Sequence, residues 1–144
     1  MIFKRKFFYP SLFLLLLIFV TAISFNGLYG QDAYEYFRYT KALHNFFLTG
    51  EKPYDFFWSY MYPFVASLFS FVFSAEFSLQ LVSILAFVGT IYFTEKIILL
   101  LNTESKITTR IYLLLFLFLS PFSLRMAVTD MSDVLCPIPC CYHC

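Results

Sequence analysis

The sequence opens with a cluster of bases followed directly by a long uncharged apolar run. Residues 7–25 contain no charged side chain, and Lys4, Arg5 and Lys6 stand immediately before them. A helix of about 20 residues crosses roughly 30 Å of hydrocarbon, so this run predicts a membrane span. Because basic residues are retained in the cytoplasm, the N-terminus is predicted to lie inside. A cleaved signal peptide with residues 12–20 as its apolar centre is the alternative.

Composition places the whole chain in the same class. Apolar residues make up 60% of the 144 and charged residues 13%. In a soluble domain roughly 45–50% of residues are apolar and about 25% are charged. A net charge of +1 supplies no basic field for nucleic acid, so a nucleic-acid partner is set aside. The expected partner is the lipid bilayer. We therefore predict an all-α membrane protein.

The most polar part of the chain, residues 26–60, follows the first span and is predicted to lie outside the membrane. Apolar residues there recur at spacings of three and four, and the charged residues fall largely on other faces. This pattern is typical of an amphipathic helix lying along the interface. Gly50 is predicted to cap the end of this helix. The apolar and aromatic positions of its predicted face are Tyr36, Tyr39, Leu43, Phe46 and Phe47.

The apolar segment at residues 61–74 decides the topology. It has only fourteen residues and contains Pro63, so it is short for a span and typical of an interfacial segment. If it does not cross, residues 77–101 lead inward, residues 111–124 lead outward, and the bases near the turn lie inside, as the positive-inside rule requires. We therefore predict about three transmembrane helices, with amphipathic juxtamembrane helices in the first external loop. The bases concerned are Lys96, Lys106 and Arg110.

This order of features resembles the start of the glycosyltransferase-C superfamily, in particular the protein O-mannosyltransferases and the lipid A aminoarabinose transferases. The resemblance extends over residues 1–135, which we assign to one polytopic membrane domain. The segments that carry it are Gly-Gln-Asp-Ala-Tyr-Glu-Tyr at 30–36, Tyr-Pro-Phe at 62–64, Ser-Pro at 120–121 and Thr-Asp-Met-Ser-Asp at 129–133.

The resemblance implies a glycosyltransferase that moves a sugar from a polyprenyl-phosphate carrier to an acceptor on the non-cytoplasmic face. An acidic residue in the first external loop is the usual catalytic or acceptor-orienting group, and Asp32 matches it by position. Such chemistry needs a base, because the acceptor loses a proton as the anomeric bond breaks. Asp32 is therefore the predicted catalytic residue.

The sequence contains further candidate site residues. Asp130 and Asp133 are second acidic candidates, for an acceptor or for a divalent metal, the one cofactor left open. Candidates for binding phosphate or substrate are Arg38, Arg125 and Glu35, the two arginines because cations stabilise a departing phosphate.

Each candidate also has a structural interpretation. Asp32 followed three positions later by Glu35 fits a capping box at the start of a helix. Arg38 fits a solvated face or a lipid headgroup contact, and Asp130 and Asp133 fit the point where a span leaves the lipid. On those interpretations the chain is a small non-enzymatic polytopic membrane protein or subunit.

The C-terminal residues 136–144 contain all four cysteines of the chain. Zinc binding and external disulfides are the alternatives for this tail, but adjacent Cys140 and Cys141 do not fit the spacing of paired zinc ligands. The abrupt change after Leu135 indicates a truncation or frameshift, so the isolated chain is expected to lack transferase activity. The short basic N-terminus without a transit sequence favours a bacterial inner membrane.

Overall fold

The computed structural model describes residues 5–23, 27–28, 30–101 and 106–119, and all the regular secondary structure in these ranges is α-helical. The all-α class predicted from the sequence is therefore confirmed. The five helices are α1 (Arg5–Ile23), α2 (Gly30–Thr49), α3 (Met61–Phe69), α4 (Ala75–Leu101) and α5 (Lys106–Leu119).

Gly50 ends α2 in the way the sequence predicts. Its φ of 77° lies in the left-handed region that glycine enters without a Cβ clash. In that conformation its N–H donates to the carbonyl oxygen of Phe46 at 2.9 Å, which satisfies one of the last carbonyls of the helix. The chain then leaves the helix axis and runs back towards α3.

Helix α3 is too short to cross a membrane. Its nine residues extend over about 14 Å, roughly half the thickness of the hydrocarbon core. Of the two topologies that the sequence allows, this length favours the one in which residues 61–74 do not cross.

Helix α4 is the one helix in the described part of the chain that is long and apolar enough to cross a membrane. It has 27 residues, and only 11% of its most apolar 18-residue window is buried inside the protein. A core helix of a soluble protein would be mostly covered. The apolar part of α1, Phe7–Ile23, is shorter, so a single candidate span is described where about three were predicted.

Large apolar side chains remain uncovered along α1, α4 and α5. Contiguous apolar surface of this extent marks contact with lipid or with another protein, and it agrees with membrane association. The most exposed of these side chains are Phe7, Leu14, Ile18, Phe93, Leu100, Leu101, Tyr112, Phe116 and Leu119.

Two buried clusters hold the helices together, and α4 contributes to both. We call them the bundle cluster, between α1 and α4, and the aromatic cluster, between α2, α3, α4 and the segment that follows Gly50. Helix α4 contacts each of the other four helices. The bundle cluster consists of Leu12, Leu16, Val20, Ile84 and Ile91. The aromatic cluster consists of Tyr36, Tyr39, Phe56, Tyr62, Ala66, Leu79 and Val82.

Contacts between α1, α4 and α5 show how these helices run. The rings of Tyr9 and Tyr92 meet edge to face with centroids 5.2 Å apart, which brings the start of α1 to the last third of α4. The guanidinium of Arg110, near the start of α5, lies 5.2 Å from the ring centroid of Phe8. Helix α4 therefore runs antiparallel to both α1 and α5.

A buried ion pair joins α4 to α5 at this end of the bundle. Nε of Arg110 donates to Oε1 of Glu95 at 3.1 Å, and Nη2 lies 3.1 Å from the same oxygen. The two side chains are only 3% and 5% exposed. The sequence pattern places Arg110 with the bases near the turn between the last two predicted spans. In the structure Arg110 lies inside α5, and Glu95 of α4 neutralises its charge.

Breaking this pair should cost far more than breaking a surface pair. Arg110→Ala leaves the carboxylate of Glu95 buried without its cation, which destabilises a protein by about 3–5 kcal/mol. The control is Arg38→Ala, because Arg38 pairs with Glu35 on the surface of α2 and such pairs contribute about 0–1 kcal/mol. Unfolding free energies from titration with a denaturing detergent provide the measurement. Equal losses in the two variants would contradict the burial of the pair.

Candidate functional site

A segment without regular secondary structure follows Gly50 and lies along α2, and we call it the strap (residues 54–58). Phe56 is buried and Trp58 is partly buried, whereas Phe57 between them is 94% exposed. Phe56 and Trp58 therefore face the helix, and Phe57 faces away from it.

The strap runs antiparallel to α2. The ring of Tyr54 meets that of Tyr39 with centroids 5.4 Å apart. Phe56 stacks on Tyr39 at 4.0 Å with an angle of 9° between the ring planes, and it meets Tyr36 at 5.7 Å. Successive inward residues of the strap therefore contact earlier residues of α2, and Trp58 reaches the first turn of the helix.

Asp32 is the residue that Trp58 meets there. The indole Nε1 of Trp58 donates to Oδ1 of Asp32 at 3.3 Å. Asp32 is exposed and lies in the first turn of α2, where the positive end of the helix dipole stabilises a carboxylate. The predicted catalytic residue is therefore an accessible anion with a fixed partner, and the sequence analysis did not identify that partner.

Asp32 and Glu35 do not form the capping box that their spacing predicts. Helix α2 begins at Gly30, so Asp32 lies inside the helix rather than at the residue before it. Glu35 does not serve the helix start, because its Oε1 pairs with Nη1 of Arg38 at 3.0 Å. The two residues therefore act separately, one with the strap and one with the next turn.

Arg38 and Glu35, the candidates for binding phosphate or substrate, form a pair on the accessible side of α2. The side chain of Arg38 is 68% exposed and that of Glu35 is 27% exposed. Together with Asp32 they place three charged groups on the first three turns of one helix. An exposed guanidinium with donors to spare can bind an anion without losing its own carboxylate partner.

The remaining candidates lie outside the described residues: Arg125, Asp130 and Asp133, and the cysteine-containing tail at 136–144. Within the ranges that the structure describes, no three His, Cys, Asp or Glu side chains come together as a metal-binding group. The described part of the site is therefore one carboxylate and one ion pair.

Tyr62 joins this site to α4, a role that the sequence analysis missed. Its side chain is fully buried, and its ring meets that of Tyr36 edge to face at 5.0 Å. The hydroxyl donates to the carbonyl oxygen of Leu79 at 3.2 Å and lies 2.7 Å from Oγ of Ser83. The available signal was a tyrosine inside an apolar segment, because a buried tyrosine hydroxyl needs a polar partner.

The other end of α2 is attached to α3 through His44. Its Nδ1 lies 2.7 Å from Oγ of Ser70, and its ring lies 4.6 Å from that of Phe71. Beside this contact is an open apolar hollow of about 190 Å³, lined by Leu43, Tyr60, Met61 and Phe64. His44 therefore has a structural partner, and α2 is held at both ends.

Burial raises the pKa of Tyr39, and the negative charges that Tyr60, Tyr54 and Asp55 carry when ionised raise it further. A phenol ordinarily titrates near 10, so Tyr39 is neutral at physiological pH. It serves as a packing surface for the strap and not as a base.

The raised pKa predicts a loss of stability in alkali. The stabilisation by the neutral Tyr39 phenol is fully present below about pH 10, the pKa in the unfolded chain, and is lost as the pH rises through the higher folded pKa. Tyr39→Phe should therefore lose less stability than the wild type over that range. Denaturing-detergent titrations at several pH values provide the measurement. A Tyr39→Phe curve identical to that of the wild type would contradict the prediction.

Comparison with known proteins leaves the site to be interpreted from its own geometry. No protein-family model, no curated protein and no solved structure matches the chain. The described residues provide an exposed carboxylate that an indole holds in place, with an exposed arginine–glutamate pair one to two turns further along the same helix.

Proposed function

We propose that the chain forms the N-terminal part of a polytopic membrane glycosyltransferase. This enzyme moves a sugar from a polyprenyl-phosphate carrier to an acceptor on the non-cytoplasmic face of a bacterial inner membrane. One observation carries the proposal: the accessible carboxylate of Asp32 is held at the start of α2 by the indole of Trp58. A base must be both accessible to the acceptor and fixed in direction.

The proposed topology has α1 crossing outward, α4 inward and the predicted apolar segment at residues 111–124 outward, with α2 and α3 in the external loop. The antiparallel packing of α4 against α1 and α5 supports it, as does the shortness of α3. The apolar part of α1, Phe7–Ile23, extends over about 25 Å, against roughly 30 Å for the hydrocarbon. Leu79 and Ser83, which anchor the α2–α3 layer, precede Glu95 by 16 and 12 positions, which is roughly 18–24 Å along α4. This separation supports a topology in which Asp32 and the ion pair lie towards opposite membrane faces.

In the proposed reaction Asp32 accepts the proton of the acceptor hydroxyl or amine. The acceptor atom forms a bond to the anomeric carbon, and the bond from that carbon to the phosphate oxygen breaks. The electron pair of the broken bond leaves with the polyprenyl phosphate. Arg38 stabilises the negative charge on that phosphate, and Glu35 holds the guanidinium from the other side.

Asp32→Asn is the direct test of this role. Asparagine keeps the size of the side chain and an oxygen that can accept from Trp58, but it cannot take a proton. We expect transfer of radiolabelled sugar from a polyprenyl-phosphate donor to fall by about 10²–10⁴-fold, the usual contribution of a general base. The assay uses the protein made from its native gene.

Glu51→Gln provides the control, because Glu51 is an exposed carboxylate between α2 and the strap and its substitution should leave transfer unchanged. Full transfer by Asp32→Asn would contradict the catalytic role.

Topology is tested separately by cysteine accessibility in a background without the native cysteines. A reporter replacing Tyr34, which is exposed beside Asp32, should be labelled from outside, because α2 belongs to the external loop. A reporter replacing Thr103 should be labelled only from inside. The reverse pattern at both positions, or labelling of both from one side, would favour the non-enzymatic membrane protein.

A further inference from the structure

We propose that Trp58 is a positioning residue for Asp32 and that the strap is therefore part of the site. The contact itself is independent of the reaction, whereas its use in catalysis rests on the proposed transferase function. The indole N–H binds one carboxylate oxygen, Oδ1, and in the proposed reaction the other oxygen, Oδ2, accepts the proton.

The position of Trp58 is set by the packing of the strap. Phe56 is buried between Tyr36 and Tyr39, with the Tyr39 ring stacked on it at 4.0 Å. The ring of Trp58 lies beside that of Phe56, with centroids 6.3 Å apart. The packing of Phe56 therefore places the Trp58 indole next to the first turn of α2, where Asp32 lies.

The indole itself is held by its neighbours. Trp58 is partly buried, and its ring packs against Phe56 with centroids 6.3 Å apart and edge to face against Phe57 at 5.2 Å. A tryptophan has only two side-chain torsions, so these contacts hold its N–H in one direction at little cost in entropy. An exposed aspartate without such a donor would rotate between its staggered conformers.

No cation takes the place of the indole in the described contacts of Asp32. The nearest arginine on α2, Arg38, is engaged by Glu35 at 3.0 Å, and Lys41 lies over the ring of Phe37 at 4.1 Å. A neutral donor orients the carboxylate without neutralising its charge. The titratable and charged groups on the elements packed around Asp32 are Tyr34, Glu35, Tyr36, Arg38, Tyr39, Lys41 and His44 of α2, Tyr54 and Asp55 of the strap, and Tyr60 and Tyr62 beyond it.

Trp58 is the only tryptophan in the chain, so its fluorescence reports this contact directly. We expect the emission to change in one step as the pH is lowered through the range in which carboxylates take up protons. The step should disappear in Asp32→Asn and remain in Glu51→Gln. Absence of the step in the wild type, or its survival in Asp32→Asn, would overturn the contact.

The role in transfer is tested by removing the N–H while keeping the ring. The benzothiophene analogue of tryptophan at position 58 replaces the N–H by sulfur with almost no change of shape, and Trp58→Phe is the simpler second variant. We expect kcat to fall by about 10–100-fold, because small misplacements of a reacting group have effects of that size. KM should change little, and introducing Asp32→Asn as well should lower transfer no further than Asp32→Asn does alone.

The two measurements separate the proposals. Unchanged kcat in the benzothiophene variant would overturn the positioning role, whatever Asp32→Asn does. Full transfer in Asp32→Asn would overturn the transferase proposal, while the loss of its fluorescence step would still support the contact. A fall in kcat for the benzothiophene variant that adds fully to that of Asp32→Asn would show that Trp58 acts on another group and would overturn the inference.

Discussion

The structure depends on the way in which one helix, α4, divides its surface between two different kinds of packing. Its central and later residues, such as Ile84 and Ile91, pack with the aliphatic side chains of α1. Its first turns present Leu79 and Ser83 to the aromatic layer formed by α2, α3 and the strap. Because α4 touches every other helix, any shift of it would disturb both clusters together.

The aromatic layer explains how an exposed carboxylate acquires a definite place. Tyr62 is buried, and its hydroxyl bonds to α4, so α3 cannot slide along that helix without leaving a buried polar group unsatisfied. Tyr36 packs on Tyr62, and Phe56 packs on Tyr36. These ring contacts extend from the most buried part of the layer to the strap. Trp58 of the strap then donates a hydrogen bond to Asp32.

The two arginine–glutamate pairs illustrate how surroundings decide the role of the same chemistry. Arg110 and Glu95 are almost wholly covered, so they join two helices and expose no charge. Arg38 and Glu35 meet within one exposed helix, where water screens the attraction and leaves the guanidinium accessible. The buried pair therefore has a structural role, and the exposed pair lies within the candidate functional site.

Several features could be predicted from local sequence. The long apolar runs, the helical spacing of Tyr36 and Tyr39, and Gly50 depend on neighbours a few residues away, and they correctly predict helices and the end of α2. Asp32 was likewise found by its place in a short motif, although its catalytic role stays a prediction. The number of membrane spans could not be decided in this way, because apolar length alone does not say what a helix face will contact. Nor could sequence pair Trp58 with Asp32, 26 positions apart, or Arg110 with Glu95, 15 apart. Those contacts exist only after α4 has brought the helices and the strap together.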